Sequence, residues 1–148
     1  MAESGQYLRM VLQGAAYLLP SGASFAIEQR DALVLDDGPG PVAAWRPMRQ
    51  TRWPAYGLDK MLQPTRPRDW QRAVFIEAAP HPVGLVVDEV QLLGRDEVHV
   101  VTAFTPLGAP PTRFGHLFNA AWVDNHRATL VLDPKILVAY LRSLDGAA

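Results

Sequence analysis

The chain has 148 residues, of which 49% are hydrophobic and 20% are charged, and its formal net charge is -1. This length and composition predict one globular unit with a sizeable core, while the charge balance provides no overall field that would attract nucleic acid or an acidic membrane surface. Cysteine is absent, which excludes disulfides, thiolate metal sites and cysteine nucleophiles.

We predict a loose tail at residues 1–6, and these residues lack the basic cluster of a secretory signal. No apolar run approaches the roughly 20 residues that a membrane-spanning helix needs. We therefore expect a cytoplasmic protein without membrane insertion.

Two short apolar runs, at 7–12 and 16–19, flank a glycine-containing break and predict a β-hairpin.

Residues 20–41 contain short elements and one clear loop. We predict a short helical turn at 23–30 and a strand at 32–35. Glycine and proline alternate at 38–41, which denies hydrogen bonds to both helix and sheet and predicts a surface loop at 36–41.

The segment from 42 to 72 combines proline, arginine and aromatic residues. Four prolines prevent long regular elements, so that we predict only one strand, at 52–58. Six of the twelve arginines lie in this segment. Arginine beside aromatic residues is typical of protein–protein hot spots and also of surfaces that stack on single-stranded nucleic acid. A third interpretation is that the tryptophans fill the ends of a barrel. The residues concerned are Trp45, Arg46, Arg49, Arg52, Trp53, Tyr56, Arg66, Arg68, Trp70 and Arg72.

Residues 71–90 contain two apolar runs, 73–76 and 83–90, that are rich in β-branched residues. They predict a pair of buried strands. Gly84 lies inside the second run, where a missing side chain allows another backbone to come close or the strand to bend sharply. Asp88 and Glu89 interrupt this run and indicate that the strand leaves the core and turns. Adjacent strand residues point to opposite faces, so these two carboxylates do not form a catalytic pair.

The C-terminal third predicts further strands and one helix. A polar turn is expected at 91–97, a strand at 98–103, a loop at 105–113 and a closing strand pair at 114–123 and 128–132. Asp133 before Pro134 is typical of a helix N-terminus, and apolar residues at helical spacing extend the helix over 134–144. Many short strands with one terminal helix favour a mainly β fold built from barrels.

Three stretches resemble the CheW family of chemotaxis coupling proteins. They are VGLVVDEV at 83–90, YLRMVLQGAAYLLP at 7–20 and RATLVLDPKIL at 127–137. The resemblance spans roughly residues 6–142. It implies one domain over 1–148, in which two small five-stranded barrels share a hydrophobic core. The barrel halves would cover about 20–82 and 83–132, the N-terminal strands would join them, and the C-terminal helix would cover 134–144.

The resemblance also implies a noncatalytic adaptor without cofactors. Its partners would be a CheA-type histidine kinase, a chemoreceptor, or another signalling or motility protein. The family carries a G..NLRG...P..DL segment, of which only Arg49, Pro54 and Leu58 match in this chain, and Gly57 replaces the aspartate. Because this segment contributes to coupling in the family, its divergence implies a coupling protein with an altered partner.

Other functional classes find little support in the sequence. The four histidines, at 81, 99, 116 and 126, lack a spacing that places two ligands on one face, so no metal is expected. Nucleophile motifs and phosphate-binding glycine motifs are missing, so we do not expect an enzyme. Two alternatives to the adaptor remain open: a small barrel that binds single-stranded nucleic acid through residues 45–72, and a self-associating scaffold. The predicted protein-binding residues are Trp45, Arg46, Arg49, Arg52, Trp53, Asp88, Glu89 and Arg95.

Overall fold

The structure is a computed structural model that describes residues 6–20, 25–94, 96–98, 101–104, 106–110 and 115–144. Twelve strands and one α-helix are assigned within these ranges. The strands are β1 (Tyr7–Leu12), β2 (Ala15–Pro20), β3 (Phe25–Gln29), β4 (Val34–Leu35), β5 (Val42–Pro47), β6 (Arg52–Tyr56), β7 (Arg72–Ile76), β8 (Val83–Val87), β9 (Glu89–Leu93), β10 (Val101–Ala103), β11 (Phe118–Asp124) and β12 (Arg127–Leu132). The helix is α1 (Pro134–Ser143), and Arg30–Ala32 forms a short 3-10 turn.

The first sheet, sheet I, has the strand order β10-β11-β12-β2-β1-β9. Its β1–β2 hairpin turns at Gln13 and Gly14, whose φ angles of 48° and 92° are those of a two-residue turn that matches the twist of the strands. Strand β12 pairs with β2 in parallel, and β9 pairs with β1 in antiparallel orientation. The predicted N-terminal hairpin is therefore confirmed.

The second sheet, sheet II, has the order β3-β7-β8-β6-β5-β4. Strands β7 and β8 are the predicted antiparallel pair, and all five residues of β8 are buried. Gly84 pairs with Phe75, and a Cβ atom at position 84 would lie 2.7 Å from Cε1 of that ring. The close neighbour of this glycine is thus a side chain.

The chain passes from sheet II to sheet I at Asp88. The amide of Asp88 donates to the carbonyl of Val11 at 2.9 Å, and its Oδ2 accepts from the amide of Gln13 at 2.9 Å. Strand β8 completes its ladders with β7 and β6 before the chain changes sheets.

The apolar side chains form three clusters. The main core lies between the sheets and includes Leu8 and Leu85, with Leu137 from the helix. A second cluster around Trp70 belongs to sheet II, and a third around Leu18 belongs to sheet I. Both sheets curl as half-barrels. The predicted mainly β architecture with a shared core and a C-terminal helix is confirmed, and each sheet contains six strands where five were predicted.

Three segments differ from the sequence-based predictions. Phe25–Gln29 is a strand paired with β7, whereas a helical turn was predicted at 23–30. Glu89–Leu93 is a strand paired with β1, whereas a polar turn was predicted at 91–97. Strand β5 was not predicted, because proline disfavours strands. Pro47 is tolerated because it is the last residue of β5. Pro54 is tolerated in β6 because the pairing of β6 with β8 begins only at the next residue, Ala55.

Helix α1 begins as predicted. Asp133 Oδ1 accepts hydrogen bonds from the amides of Lys135 at 3.0 Å and Ile136 at 3.3 Å, and Pro134 occupies the first turn. Leu137, Val138 and Leu141 face the core. Across the described ranges, no helix has the length and apolarity that crossing a membrane requires.

Candidate protein-binding surface

Four of the predicted binding residues lie on the strands of the hairpin formed by β5 and β6, and a fifth, Arg49, lies on its turn. In its register Arg46 faces Trp53, Trp45 faces Pro54, and Pro47 faces Arg52. Because side chains alternate along a strand, Arg46 and Trp53 share one face of the sheet while Trp45 and Arg52 share the other. The hairpin thus divides the predicted set into two groups.

The Arg46 and Trp53 side chains lie at the second core. The guanidinium of Arg46 is 5.2 Å from the centroid of Trp53 and 5.7 Å from that of Phe75. It also forms a 2.7 Å ion pair with Glu28 of β3. Trp53 packs against the second core, with its ring 6.5 Å from that of Phe75. Arg46 is therefore engaged by groups of its own sheet.

The Trp45 and Arg52 side chains form a stack on the opposite face. The guanidinium carbon of Arg52 lies 3.9 Å from the centroid of the Trp45 ring, in the range of a cation–π contact. Val34 of β4 is the cross-strand partner of Trp45 and is 57% exposed. An exposed arginine, a partly buried tryptophan and an exposed valine are thus adjacent.

The tryptophan is held in place by the loop at 36–41. Nε1 of Trp45 donates to Oδ2 of Asp36 at 2.7 Å. Arg66 fixes the loop in turn, because its guanidinium donates to the carbonyls of Asp36, Gly40 and Val42 at 2.8, 2.8 and 2.6 Å. The ring of Trp45 therefore has a fixed orientation.

These contacts change the acidity of Asp36. The hydrogen bond from Trp45, then that from the amide of Gly38 and the interaction with Arg66, lower the pKa of the Asp36 carboxyl. Because the pKa of Asp36 is lower in the folded state, its ionised form stabilises the folded protein at pH values above the unfolded pKa of about 3.9. This stabilisation is lost as the pH falls through the folded pKa.

We expect Asp36→Asn to reduce the free energy of unfolding by about 1 kcal/mol at pH 7, because a charge-assisted network is replaced by a neutral one. The difference between the two proteins should shrink as the pH falls below about 4, where the Asp36 carboxyl of the unfolded chain becomes protonated, and further as the pH falls through the lower folded pKa. Urea unfolding at pH 7 and at pH 3 measures both values. A difference that stays constant with pH would contradict the role of the Asp36 charge.

The tip of the hairpin extends the exposed region. The amide of Met48 donates to the carbonyl of Thr51 at 2.8 Å and closes the turn, and residues 47–52 are all exposed. Arg49, the arginine that matches the family motif, lies on this tip. We name the exposed region the hairpin surface, which consists of Val34, Trp45, Met48, Arg49 and Arg52.

The remaining predicted residues lie elsewhere. Asp88 and Glu89 line a groove of about 520 Å³ at the junction of the sheets. This groove shares no residue with the hairpin surface, and Oδ2 of Asp88 also accepts a hydrogen bond from the amide of Gln13. Arg95 lies outside the described residues. The other residues that line the groove are Arg9, Gln71, Arg72, Val90 and Gln91.

Two aromatic residues of the arginine-rich segment are core residues. Trp70 and Tyr56 are each 2% exposed. Arg30 lies 4.8 Å from the centroid of the Trp70 ring and donates to the carbonyls of Arg68 and Trp70 at 2.7 and 3.0 Å. The interpretation that tryptophans of this segment fill the interior is correct for Trp70, and Tyr56 is buried to the same extent.

Sequence reasoning missed Val34 and Asp36 as parts of the site. Their contribution depends on the pairing of β4 with β5, which places Val34 beside Trp45 and brings the loop to its indole nitrogen. The only available indication was an acidic loop before an aromatic strand. In the described part of the chain, no three His, Asp or Glu side chains are grouped as metal ligands.

Comparison with known proteins identifies the fold. Neither a protein-family model nor a curated protein matches the sequence. Among solved structures, the chain is similar to the scaffolding protein CheW from Thermoanaerobacter tengcongensis, with a TM-score of 0.58, 13% sequence identity, and coverage of 87% of this chain and 88% of that chain. The chain therefore has a CheW-like fold.

Proposed function

We propose that this chain is a noncatalytic adaptor of a bacterial chemosensory-type signalling or motility system. It binds a CheA-type histidine kinase, a chemoreceptor, or another protein of the same array. The CheW-like fold supports this proposal, since the similar solved structure is described as a scaffolding protein. We place the protein in the cytoplasm and treat residues 1–148 as a single domain.

The observation that carries the proposal is the stacked pair of Trp45 and Arg52 on the hairpin surface. Tryptophan and arginine are the residues most enriched among those that dominate binding energy at protein interfaces. The Trp45 ring is held by Asp36 before any partner binds. Binding of a partner therefore costs little conformational entropy at this surface, which favours affinity.

The same geometry disfavours binding of single-stranded nucleic acid through residues 45–72. Such binding requires several guanidinium groups that are free to contact phosphates. Arg46 is paired with Glu28. Arg66 donates to the carbonyls of Asp36, Gly40 and Val42. Two of the six arginines of this segment are therefore engaged within the fold.

We expect Arg52→Ala to weaken binding to the partner about tenfold or more, because truncation of an interface arginine at the centre of a hot spot typically costs 2 kcal/mol or more. Calorimetric titration of the full chain against the purified regulatory domain of the kinase and the cytoplasmic tip of the receptor measures the affinity. Both should come from the same organism as the chain.

Arg68→Ala provides the matched control, since Arg68 is an exposed arginine outside the hairpin surface. Its affinity should equal that of the wild type. Equal losses for both variants would indicate a general effect of positive charge, and no loss for Arg52→Ala would remove the hairpin surface from the interface.

A further inference from the structure

A second exposed feature follows β6 at its C-terminal end. We name residues 58–64 the methionine turn. Leu58 and Leu62 anchor it in the main core, and the backbones of Leu58 and Pro64 form an isolated bridge. Oδ1 of Asp59 accepts hydrogen bonds from the amides of Met61 at 2.8 Å and Gln63 at 3.0 Å. The turn is therefore closed by its own contacts.

Two tyrosines from other elements hold the same turn. The hydroxyl of Tyr17 in β2 donates to the carbonyl of Lys60 at 2.6 Å, and that of Tyr140 in α1 donates to the carbonyl of Leu62 at 2.8 Å. Burial, and secondarily the negative charge of Asp59, raise the pKa of both tyrosines. Both hydroxyls therefore remain protonated donors at neutral pH, and they tie the turn to sheet I and to the helix.

The backbone of the turn is strained at Leu62. Its φ of 64° lies in the left-handed region, which is rare for a bulky residue and persists only where surrounding contacts impose it. While Leu62 is 4% exposed, the preceding Met61 is 71% exposed. The contacts that hold the turn thus present a methionine to solvent from a fixed backbone.

The electrostatics of the turn are asymmetric. Asp59 turns one carboxylate oxygen towards the amides of the turn. Lys60 is exposed, and the ion pairs found among the described residues, Arg46–Glu28 and Arg66–Asp36, do not involve it. An apolar side chain with a positive charge beside it is the feature offered to solvent.

We propose that the methionine turn is a second protein-docking site, which inserts Met61 into an apolar pocket with carboxylates at its rim on a partner protein. Methionine adapts its shape to such pockets, and a fixed turn loses little entropy on binding. The carboxylates pair with Lys60. The inference rests on the proposed adaptor function, because an adaptor needs more than one binding surface.

The methionine turn and the hairpin tip are joined by β6. The hairpin tip precedes β6 and the methionine turn follows it, so the two sites lie at opposite ends of this strand. At about 3.3 Å per residue, they are separated by roughly 15 Å.

The first test replaces the methionines of the full chain by photo-methionine in its own cells, followed by illumination and mapping of cross-links by mass spectrometry. We expect position 61 to cross-link to an identified partner at a segment that contains apolar and acidic residues. Met10 is fully buried and serves as the internal control, whose cross-links should stay within the chain. Cross-links of position 61 to its own chain alone would overturn the proposal.

The second test measures the affinity of the purified partner for three versions of the chain. Met61→Ser should weaken binding about tenfold or more, whereas Met61→Leu, which keeps an apolar side chain of similar volume, should stay within about threefold of the wild type. Equal affinity of Met61→Ser and the wild type would overturn the proposal even if a cross-link is found.

These outcomes separate the methionine turn from the adaptor function. A Met61-dependent partner that is unrelated to chemosensory signalling would support the turn and contradict the proposed function. Kinase or receptor binding that depends on Arg52 and is unaffected by Met61→Ser, with no cross-link to another protein, would support the function and remove the turn.

Discussion

Trp70→Ala is expected to reduce the free energy of unfolding by about 3–5 kcal/mol, the range observed when a large buried aromatic side chain is truncated. Trp70 is 2% exposed and is the largest side chain among the fully buried residues. Its neighbours in the second core include Ala43, Ala44 and Ala73, whose side chains are too short to fill the space that the indole leaves. Chemical denaturation followed by circular dichroism measures the change.

Trp53→Ala serves as the control for this prediction. Trp53 packs at the same core but is only partly buried, so its truncation transfers less apolar surface to water. Its loss of stability should be clearly smaller than that of Trp70→Ala. If Trp53→Ala is as destabilising as Trp70→Ala, the second core is centred on the hairpin and the assignment of Trp70 as its filling residue is wrong.

Gly57→Ala is expected to destabilise the protein by about 1–3 kcal/mol, because the new Cβ atom would overlap neighbouring groups. That atom would lie 2.4 Å from Cδ of Pro67 and 2.4 Å from the carbonyl oxygen of Thr65. The amide of Thr65 donates to the carbonyl of Gly57 at 3.0 Å, so the segment cannot move away without losing this hydrogen bond. Thermal unfolding measures the change.

Gly40→Ala is the matched control, since a Cβ atom at Gly40 meets nothing within 4 Å. Its melting temperature should stay close to that of the wild type or rise slightly, because alanine reduces the entropy of the unfolded chain. A similar fall in melting temperature for both variants would indicate that the loss of glycine's backbone freedom, and not the overlap with residues 65–67, destabilises Gly57→Ala. A larger side chain at position 57 would displace residues 65–67.

The strands with a strong apolar pattern could be predicted from the sequence. The pair β7 and β8 and the hairpin of β1 and β2 have buried runs bounded by turn residues, and Asp133 with Pro134 marks the start of the helix. Strand β9 was not predicted, because the polar residues Glu89 and Gln91 favour a turn, even though they alternate with Val90 and Leu92. Of its five residues, only Leu93 is buried. Its position depends on pairing with β1, more than 70 residues away in sequence.

The candidate site was partly predictable. The alternation of side chains along a strand separates Trp45 from Arg46, and Arg52 from Trp53, but this inference requires a known strand at Val42–Pro47. Because proline argued against that strand, the arginine-aromatic segment remained one undivided surface. The hydrogen bond from Trp45 to Asp36 and those from Arg66 to the loop that carries Asp36 arise from tertiary structure, and composition alone does not reveal them.

The most direct test of the adaptor function is a pull-down of the tagged full chain from lysate of its own cells at moderate salt, with and without nuclease, with partners identified by mass spectrometry. The proposed function predicts recovery of a CheA-type kinase, a chemoreceptor or another array protein, insensitive to nuclease and strongly reduced by Arg52→Ala. Recovery that disappears with nuclease, or recovery of no signalling or motility protein, would contradict it.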